Sequence, residues 1–76
     1  MNAMTIKELI EKLRKEYGAE NGYYRVLQYY VETSNELYSY AHASGFINGL
    51  HAVNYINDEE HEMLTNELIE ISKQRA

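Results

Sequence analysis

The chain contains no proline, no cysteine and no tryptophan, and its 76 residues include only four glycines. Proline is the strongest helix breaker, so its absence leaves long helices unopposed. The absence of cysteine excludes disulfides and is typical of a reducing compartment. No apolar run approaches the ~18 residues of a membrane-spanning helix, and no signal-peptide core follows the N-terminus. The sequence therefore predicts a cytoplasmic all-α protein without a membrane partner.

Positive charge is also scarce, with seven basic residues against 12 acidic ones and a formal net charge of −5. An acidic balance argues against nucleic-acid binding, which needs clustered Lys and Arg to neutralise phosphates. Residues 1–76 are expected to form a single helical domain, because the chain is too short for two. The first three residues, Met1 to Ala3, resemble the remnant of an expression tag, which would make Met4 the natural start.

The first and last helices are signalled by their caps. Thr5 and Glu8 form a capping box that begins the first helix, and Gly18 is placed to end it. Asn57 and Glu60 form the corresponding signal for the last helix. The apolar stripes that follow at helical spacing are Ile6, Leu9, Ile10, Leu13 and Tyr17, and then Leu64, Leu68 and Ile71.

Residues 23–55 lack a strong breaker, and the sequence leaves open whether they form one helix or two. A single helix would be about 50 Å long, and a compact chain of this length has a radius of gyration of only about 11 Å. Thr33 and Glu36 offer a second capping box, which favours a break near Thr33. The prediction is therefore helices over Tyr23–Glu32 and Ser34–Tyr55, within a bundle of three or four helices.

The segment after Thr33 is apolar on two sides. One side carries Tyr38, Ala41, Gly45, Gly49, Ala52 and Ile56, and the other carries Ala43, Phe46, Leu50 and Val53. A helix that is apolar on two sides lies between neighbours, and one small chain cannot readily supply both. We therefore expect a homodimer to cover the Phe46 side and complete the bundle.

The strip of small residues, Ala41, Gly45, Gly49 and Ala52, is predicted to be a place where another helix packs closely. Alanine at Gly49 would then overpack the contact and cost roughly 1–3 kcal/mol. In the alternative interpretation, Gly45 ends one helix and Phe46 begins another. Alanine would then raise stability through its better helix propensity.

Eight tyrosines are the compositional oddity of the chain, and two pairs of them are adjacent in sequence. Neighbouring residues on a helix point in different directions, so both members of a pair cannot enter one small core. Tyrosine fills the edges of cores, but it is also enriched at protein interfaces. Together with the second apolar side of the segment after Thr33, the tyrosine pairs predict an interface of Phe46, Leu50, Val53, Tyr23 and Tyr30.

Metal binding and catalysis find little support. Asp58 and His61 are spaced i, i+3, but acids are expected at a helix start, and a di-metal bundle site needs two Glu-x-x-His motifs. His42 and His51 are nine residues apart, on opposite sides of a helix. The chain has no Gly-x-Ser-x-Gly elbow and no glycine-rich phosphate loop. We predict no catalytic residue, no cofactor and no metal site.

A small helix-turn-helix regulator is the alternative function, since four short helices can build one. Its recognition helix should carry exposed basic or amide side chains. Lys and Arg are absent from the segment between Thr33 and Lys73, and the basic residues of the first helix are interleaved with acids. Interleaved charge is typical of a solvated helix face rather than a phosphate-binding track.

The segment from Gly49 through Asn57-Asp58-Glu59-Glu60 to Leu68 resembles the helical hairpin of short C-terminal bacterial domains and small phage or prophage proteins. His61 departs from that pattern, in which an aromatic residue is frequent. The resemblance implies a bacterial or phage accessory protein and carries over no activity. Taken together, the sequence predicts a non-enzymatic protein–protein interaction protein that forms a homodimer and binds an unidentified protein partner.

Overall fold

The computed structural model describes residues 4–18, 20 and 22–74, which form four α-helices and no β-strand. The helices are α1 (Ile6–Tyr17), α2 (Tyr23–Glu32), α3 (Leu37–Ala52) and α4 (Asp58–Gln74). The predicted all-α bundle is confirmed. None of the helices in the described part is long and apolar enough to cross a membrane. The tag remnant predicted at residues 1–3 lies outside the described residues.

Helix α1 begins and ends as predicted. The Thr5 hydroxyl accepts a hydrogen bond from the Glu8 amide (3.1 Å), and the Glu8 carboxylate accepts one from the Thr5 amide (2.9 Å). The helix ends at Gly18, whose φ of +84° is strained for any residue with a side chain. Both ends of α1 are therefore fixed by local residues.

The break between α2 and α3 is confirmed, but the capping box predicted for it is wrong. The Thr33 hydroxyl donates to the carbonyl oxygen of Tyr29 at 2.9 Å and hydrogen-bonds to the buried Ser39 hydroxyl at 2.7 Å. It is therefore committed to the end of α2 instead of capping α3. Glu36 is the N-cap residue of α3 and makes no side-chain capping bond. Consequently α3 begins at Leu37 rather than at Ser34.

Helix α3 ends three residues before the predicted Tyr55, because Asn54 adopts a left-handed conformation with φ of 62°. The Asn54 amide donates to the carbonyl oxygen of His51 (3.0 Å), and the Tyr55 amide donates to the carbonyl oxygen of Leu50 (2.9 Å). This is the Schellman arrangement that ends many helices, with asparagine where glycine is commoner. The turn brings the chain directly to Asn57, which caps α4.

The cap of α4 is the one predicted. The Asn57 side chain accepts from the Glu60 amide and the Glu60 carboxylate accepts from the Asn57 amide, both at 2.8 Å. Farther along α4, the Glu67 carboxylate accepts a hydrogen bond from the Ile6 amide at 2.8 Å. That bond satisfies a free amide at the start of α1 and ties the first helix to the last.

The buried core draws on all four helices. Its members are Ile6, Leu9, Leu13, Leu27, Val31, Ala43, Ile47, Ile56, Leu64 and Leu68. Each of the larger side chains contributes about 1.5–3 kcal/mol by leaving water. Helix α3 contributes Ser39, Ala43 and Ile47 as its buried residues, so one side of α3 faces this core and the opposite side faces solvent.

Candidate protein interaction surface

Helix α3 lies within the longest uncharged part of the chain. No Asp, Glu, Lys or Arg occurs from Leu37 to Asn57, so every such residue lies before or after that segment. The exposed side of α3 is accordingly free of formal charge. An exposed helix face normally carries charged residues, and their depletion is characteristic of the centres of protein interfaces.

The chain covers the two predicted apolar sides of α3 differently from what was expected. Ala43 is buried, and Phe46 and Leu50 are half-buried against the core of the same chain. Val53, predicted to share their side, is 72% exposed. The side that the chain leaves uncovered is the one with the small residues, although Ile56, which was predicted to share that side, is buried. We call this exposed side the α3 face, and it carries Leu37, Tyr38, Ala41, His42, Gly45, Asn48, Gly49, Ala52 and Val53.

The small residues of the α3 face do not pack against the helices of their own chain. A Cβ atom placed on Gly45 or on Gly49 would have no neighbour within 4 Å, and Ala41 and Ala52 are exposed. The helix also runs without interruption through Gly45, so the alternative of two short helices joined there is wrong. If the predicted close packing occurs, another chain must supply the helix.

An apolar groove of about 290 Å³ runs beside the α3 face. It is lined by Leu13, Tyr17, Tyr23, Gly45, Phe46, Gly49 and Leu50. The structure thus brings together three predicted interface residues (Phe46, Leu50 and Tyr23) and both glycines of the strip. Val53 and Tyr30 are not among the lining residues. The missing side chains of the two glycines leave room along one edge of the groove.

The tyrosines that line the groove, Tyr17 and Tyr23, are held in place by contacts with each other and with the turn after α3. Tyr17 meets Tyr23 edge to face at 5.7 Å and lies 6.4 Å from the ring of Tyr55. The Tyr55 hydroxyl donates to Glu16 at 2.6 Å. Burial, together with this hydrogen bond, raises the pKa of Tyr55 above its ordinary value. The proton therefore stays on Tyr55, and the bond holds the end of α1 against the turn that follows α3.

Tyr30 belongs to a second aromatic cluster, toward the start of α3. Its ring lies 5.4 Å from Tyr29, 6.4 Å from Tyr38 and 4.8 Å from His42. Tyr38 and His42 lie 4.2 Å apart on α3. Tyr38 is 68% exposed, so this cluster extends the α3 face toward α2.

The histidines make contacts that sequence spacing did not indicate. His51 and His61 stack at 4.2 Å across α3 and α4, His51 hydrogen-bonds to Asp58 (2.7 Å), and His61 hydrogen-bonds to Asn48 (2.7 Å). Asp58 therefore pairs with His51 and not with His61. Within the described residues, no group of three or more His, Cys, Asp or Glu side chains is arranged to hold a metal ion.

The places of several residues in the groove, the core or the exposed surface were not predicted from the sequence. Leu13 and Tyr17 were assigned to the core stripe of α1, yet they also line the groove. For Tyr17, which is 48% exposed, the position just before Gly18 was the available signal, because a helix end exposes the last residue of its stripe; Leu13 is buried and gave no such signal. Ile47 was not recognised as the buried centre of α3, and Leu37, at 82% exposure, was not recognised as part of a surface. No charged neighbour distinguishes the two sides of this helix.

Comparison of the chain with protein-family models, with curated proteins and with solved structures finds no match. The implied kinship with bacterial and phage accessory proteins therefore stays a prediction. The functional evidence that remains is the surface itself.

Proposed function

We propose that this chain is a non-enzymatic interaction protein that works as a homodimer, with the α3 face and the adjacent apolar groove as its docking surface. The observation that carries the proposal is a solvent-exposed helix face without a single formal charge. A bacterial or phage accessory role, in the cytoplasm and with a further protein partner, is part of the same proposal. The groove extends the surface beyond a single helix.

Exposure of large apolar side chains supports this assignment. Leu37, Tyr38 and Val53 are 82%, 68% and 72% exposed, and all three lie on or directly beside α3. Single exposed apolar residues are common on monomers, but three of them along one uncharged helix, next to an apolar groove, support an interaction site. Such a set gains hydrophobic free energy only when another surface covers it.

The chemistry of the groove fits protein docking better than DNA reading. Its lining is aliphatic and aromatic apart from the tyrosine hydroxyls, and such a surface recognises apolar side chains. A DNA-reading helix needs basic or amide groups aimed at base edges and phosphates. Helix α3 offers neither Lys nor Arg, and its exposed Asn48 and His42 already hydrogen-bond to His61 and to the Tyr38 carbonyl oxygen.

The test is the mass of the protein in solution, measured by light scattering at tens to hundreds of micromolar. We expect a mass of about twice the monomer's 8.9 kDa for the unaltered chain. Ala41→Glu should give the monomer mass with unchanged helix content, because Ala41 is exposed in the single chain and its burial with a charge is unfavourable.

Asn66→Glu is the matched control, since it adds the same charge at an exposed position of α4. It should remain a dimer. A monomer mass for the unaltered chain at several hundred micromolar would contradict the proposal. So would equal dissociation by Ala41→Glu and Asn66→Glu, because it would place the contact elsewhere.

A further inference from the structure

We propose that the stacked pair of His51 and His61 is an acid-sensitive link between the end of α3 and the start of α4, which holds while the pair carries at most one proton charge and weakens when both rings are charged. The two imidazole rings lie 4.2 Å apart and 13° from parallel. Histidine is the side chain whose charge normally changes between about pH 5 and 8. A contact made of two histidines on two helices therefore responds to mild acid, whereas the apolar contacts of the core do not.

The hydrogen bonds indicate which nitrogen of each ring carries the hydrogen. The His51 Nε2 atom lies 2.7 Å from a carboxylate oxygen of Asp58, which accepts and cannot donate. The His61 Nε2 atom lies 2.7 Å from the side-chain oxygen of Asn48, which is also an acceptor. Each Nε2 atom is therefore the donor, and an additional proton enters at Nδ1 and makes the ring a cation.

One positive charge on the pair is accommodated, and it belongs on His51. The Asp58 carboxylate provides the opposite charge. His51 also lies in the last turn of α3, where the helix dipole favours a cation. With His61 neutral, no repulsion between the rings opposes this state.

A second positive charge is not accommodated. It would place two cations 4.2 Å apart, and the His51 side chain is only 34% exposed, so water screens them incompletely. His61 is bonded to the neutral amide of Asn48 and lies near the start of α4, where the helix dipole disfavours a cation. The two rings are apart in the unfolded chain, which takes up the second proton without this penalty. Lowering the pH therefore shifts the equilibrium toward the unfolded chain.

The other charged side chains at this end of the bundle do not take the place of Asp58. Helix α3 has no Asp, Glu, Lys or Arg. From α1, Lys12 and Glu16 reach the turn between α3 and α4, where they contact the ring and the hydroxyl of Tyr55. The Glu60 carboxylate accepts the N-cap amide of α4. The further acids at the start of α4 are exposed, and they are Glu59 and Glu62.

Thermal melts at pH 7.5 and pH 5.0 test the proposal, followed by circular dichroism at a protein concentration too low for a dimer to form. His61→Phe keeps an aromatic ring beside His51 but cannot take up a proton. Between the two pH values, the unaltered chain should lose about 4–8 °C more in melting temperature than His61→Phe, which is the shift expected for two charges at this distance in a domain of this size. His51→Phe should also reduce the loss, since it leaves a single charge.

His42→Phe is the matched control, because His42 lies outside the pair and hydrogen-bonds to the Tyr38 carbonyl oxygen. It should keep the full acid-induced loss of the unaltered chain. Asp58→Asn should deepen the loss, because it removes the carboxylate that shares the first charge.

The double variant His51→Phe/His61→Phe distinguishes a property of the pair from the sum of two separate histidines. Because the repulsion needs both rings, the double variant should remove no more of the acid-induced loss than either single variant removes. Additive relief by the two single variants would overturn the proposal, and so would the same loss in the unaltered chain, His51→Phe and His61→Phe. These outcomes are independent of the homodimer, since the melts are recorded on the monomer.

Discussion

Helices α1 and α3 contribute to the same core, but they mark their buried sides in different ways. On α1, charged residues such as Lys7, Glu8 and Glu11 occupy the side opposite Leu9 and Leu13. The sequence alone therefore identifies the side of α1 that faces solvent. Helix α3 has no charged residue with which to mark its solvent side. The comparison shows that charge, more than hydrophobicity, identifies the exposed face of a helix.

The two helices differ in their termini as well. Both ends of α1 are fixed by side chains or by glycine, whereas α3 begins at an uncapped Glu36 and ends at a left-handed Asn54. Local capping explains why the limits of α1 were readable from sequence. The start of α3 was not readable, because the Thr33 hydroxyl bonds back to the Tyr29 carbonyl oxygen and to Ser39 instead of capping the next helix.

The largest expected effect checks which side of α3 is the core. Ile47→Ala should lower the free energy of unfolding by about 2–5 kcal/mol, because it leaves a cavity at a fully buried site. Leu37→Ala should change the stability of the monomer by no more than about 0.5 kcal/mol, since Leu37 is exposed. Urea denaturation, at a protein concentration too low for a dimer to form, measures the free energy of unfolding of both variants. Equal losses in the two variants would contradict the assignment of the buried side.

Features of α1 could be predicted from the sequence, whereas several features of α3 could not. The caps at Thr5 and Asn57 and the stripe of α1 were predictable, because each depends on residues within four positions of one another. The core role of Ile47 depends on where the other helices lie. The groove depends on bringing the end of α1 beside the middle of α3, which no local pattern encodes.

The candidate surface was predictable in part for a related reason. Phe46 and Leu50 were recognised from helical spacing and Tyr23 from its adjacent tyrosine pair, and all three line one groove. Tyr30 was recognised from an adjacent tyrosine pair, as Tyr23 was, and lies in another cluster, with His42. Residue type indicates that a side chain suits an interface, but only the packing of the helices decides which side chains share one.

The next effect concerns the difference in capping. Thr5→Ala should cost about 1 kcal/mol, because the Glu8 amide loses its acceptor. Glu36→Ser should instead raise stability by about 0.5–1 kcal/mol by giving α3 the side-chain cap it lacks. Thermal melts of the two variants should move in opposite directions. A loss of stability in Glu36→Ser would show that Glu36 makes another contribution at that position.

Substituting alanine for Gly45 or Gly49 tests whether the exposed side of α3 is free of contacts in the monomer. In the monomer, Gly45→Ala and Gly49→Ala should each raise stability by about 0.5–1 kcal/mol, since the new methyl group meets nothing and alanine favours the helix. This reverses the destabilisation expected from the sequence for Gly49. At high protein concentration the added methyl groups should weaken the dimer, so the gain should shrink. Melting temperatures at two concentrations, tenfold above and below the dissociation constant, measure both effects.

The smallest expected effect lies where α1 and the end of α3 meet. Tyr55→Phe removes the hydrogen bond to Glu16 and should cost about 0.5 kcal/mol at pH 8, at the low end for such bonds because the pair is partly solvated. The pKa of Tyr55 is higher in the folded chain than in the unfolded chain, so the contribution is fully present below the unfolded value near 10. It is lost as the pH rises through the higher pKa of the folded state. The difference in melting temperature between the unaltered chain and Tyr55→Phe should therefore be constant from pH 7 to 9 and shrink at more alkaline pH.

Comparison with Tyr29→Phe, at a residue that is 60% exposed, corrects for changes common to all tyrosines. A difference that grows with alkaline pH would contradict the direction of the pKa shift, and with it the bracing of α1 against the turn after α3.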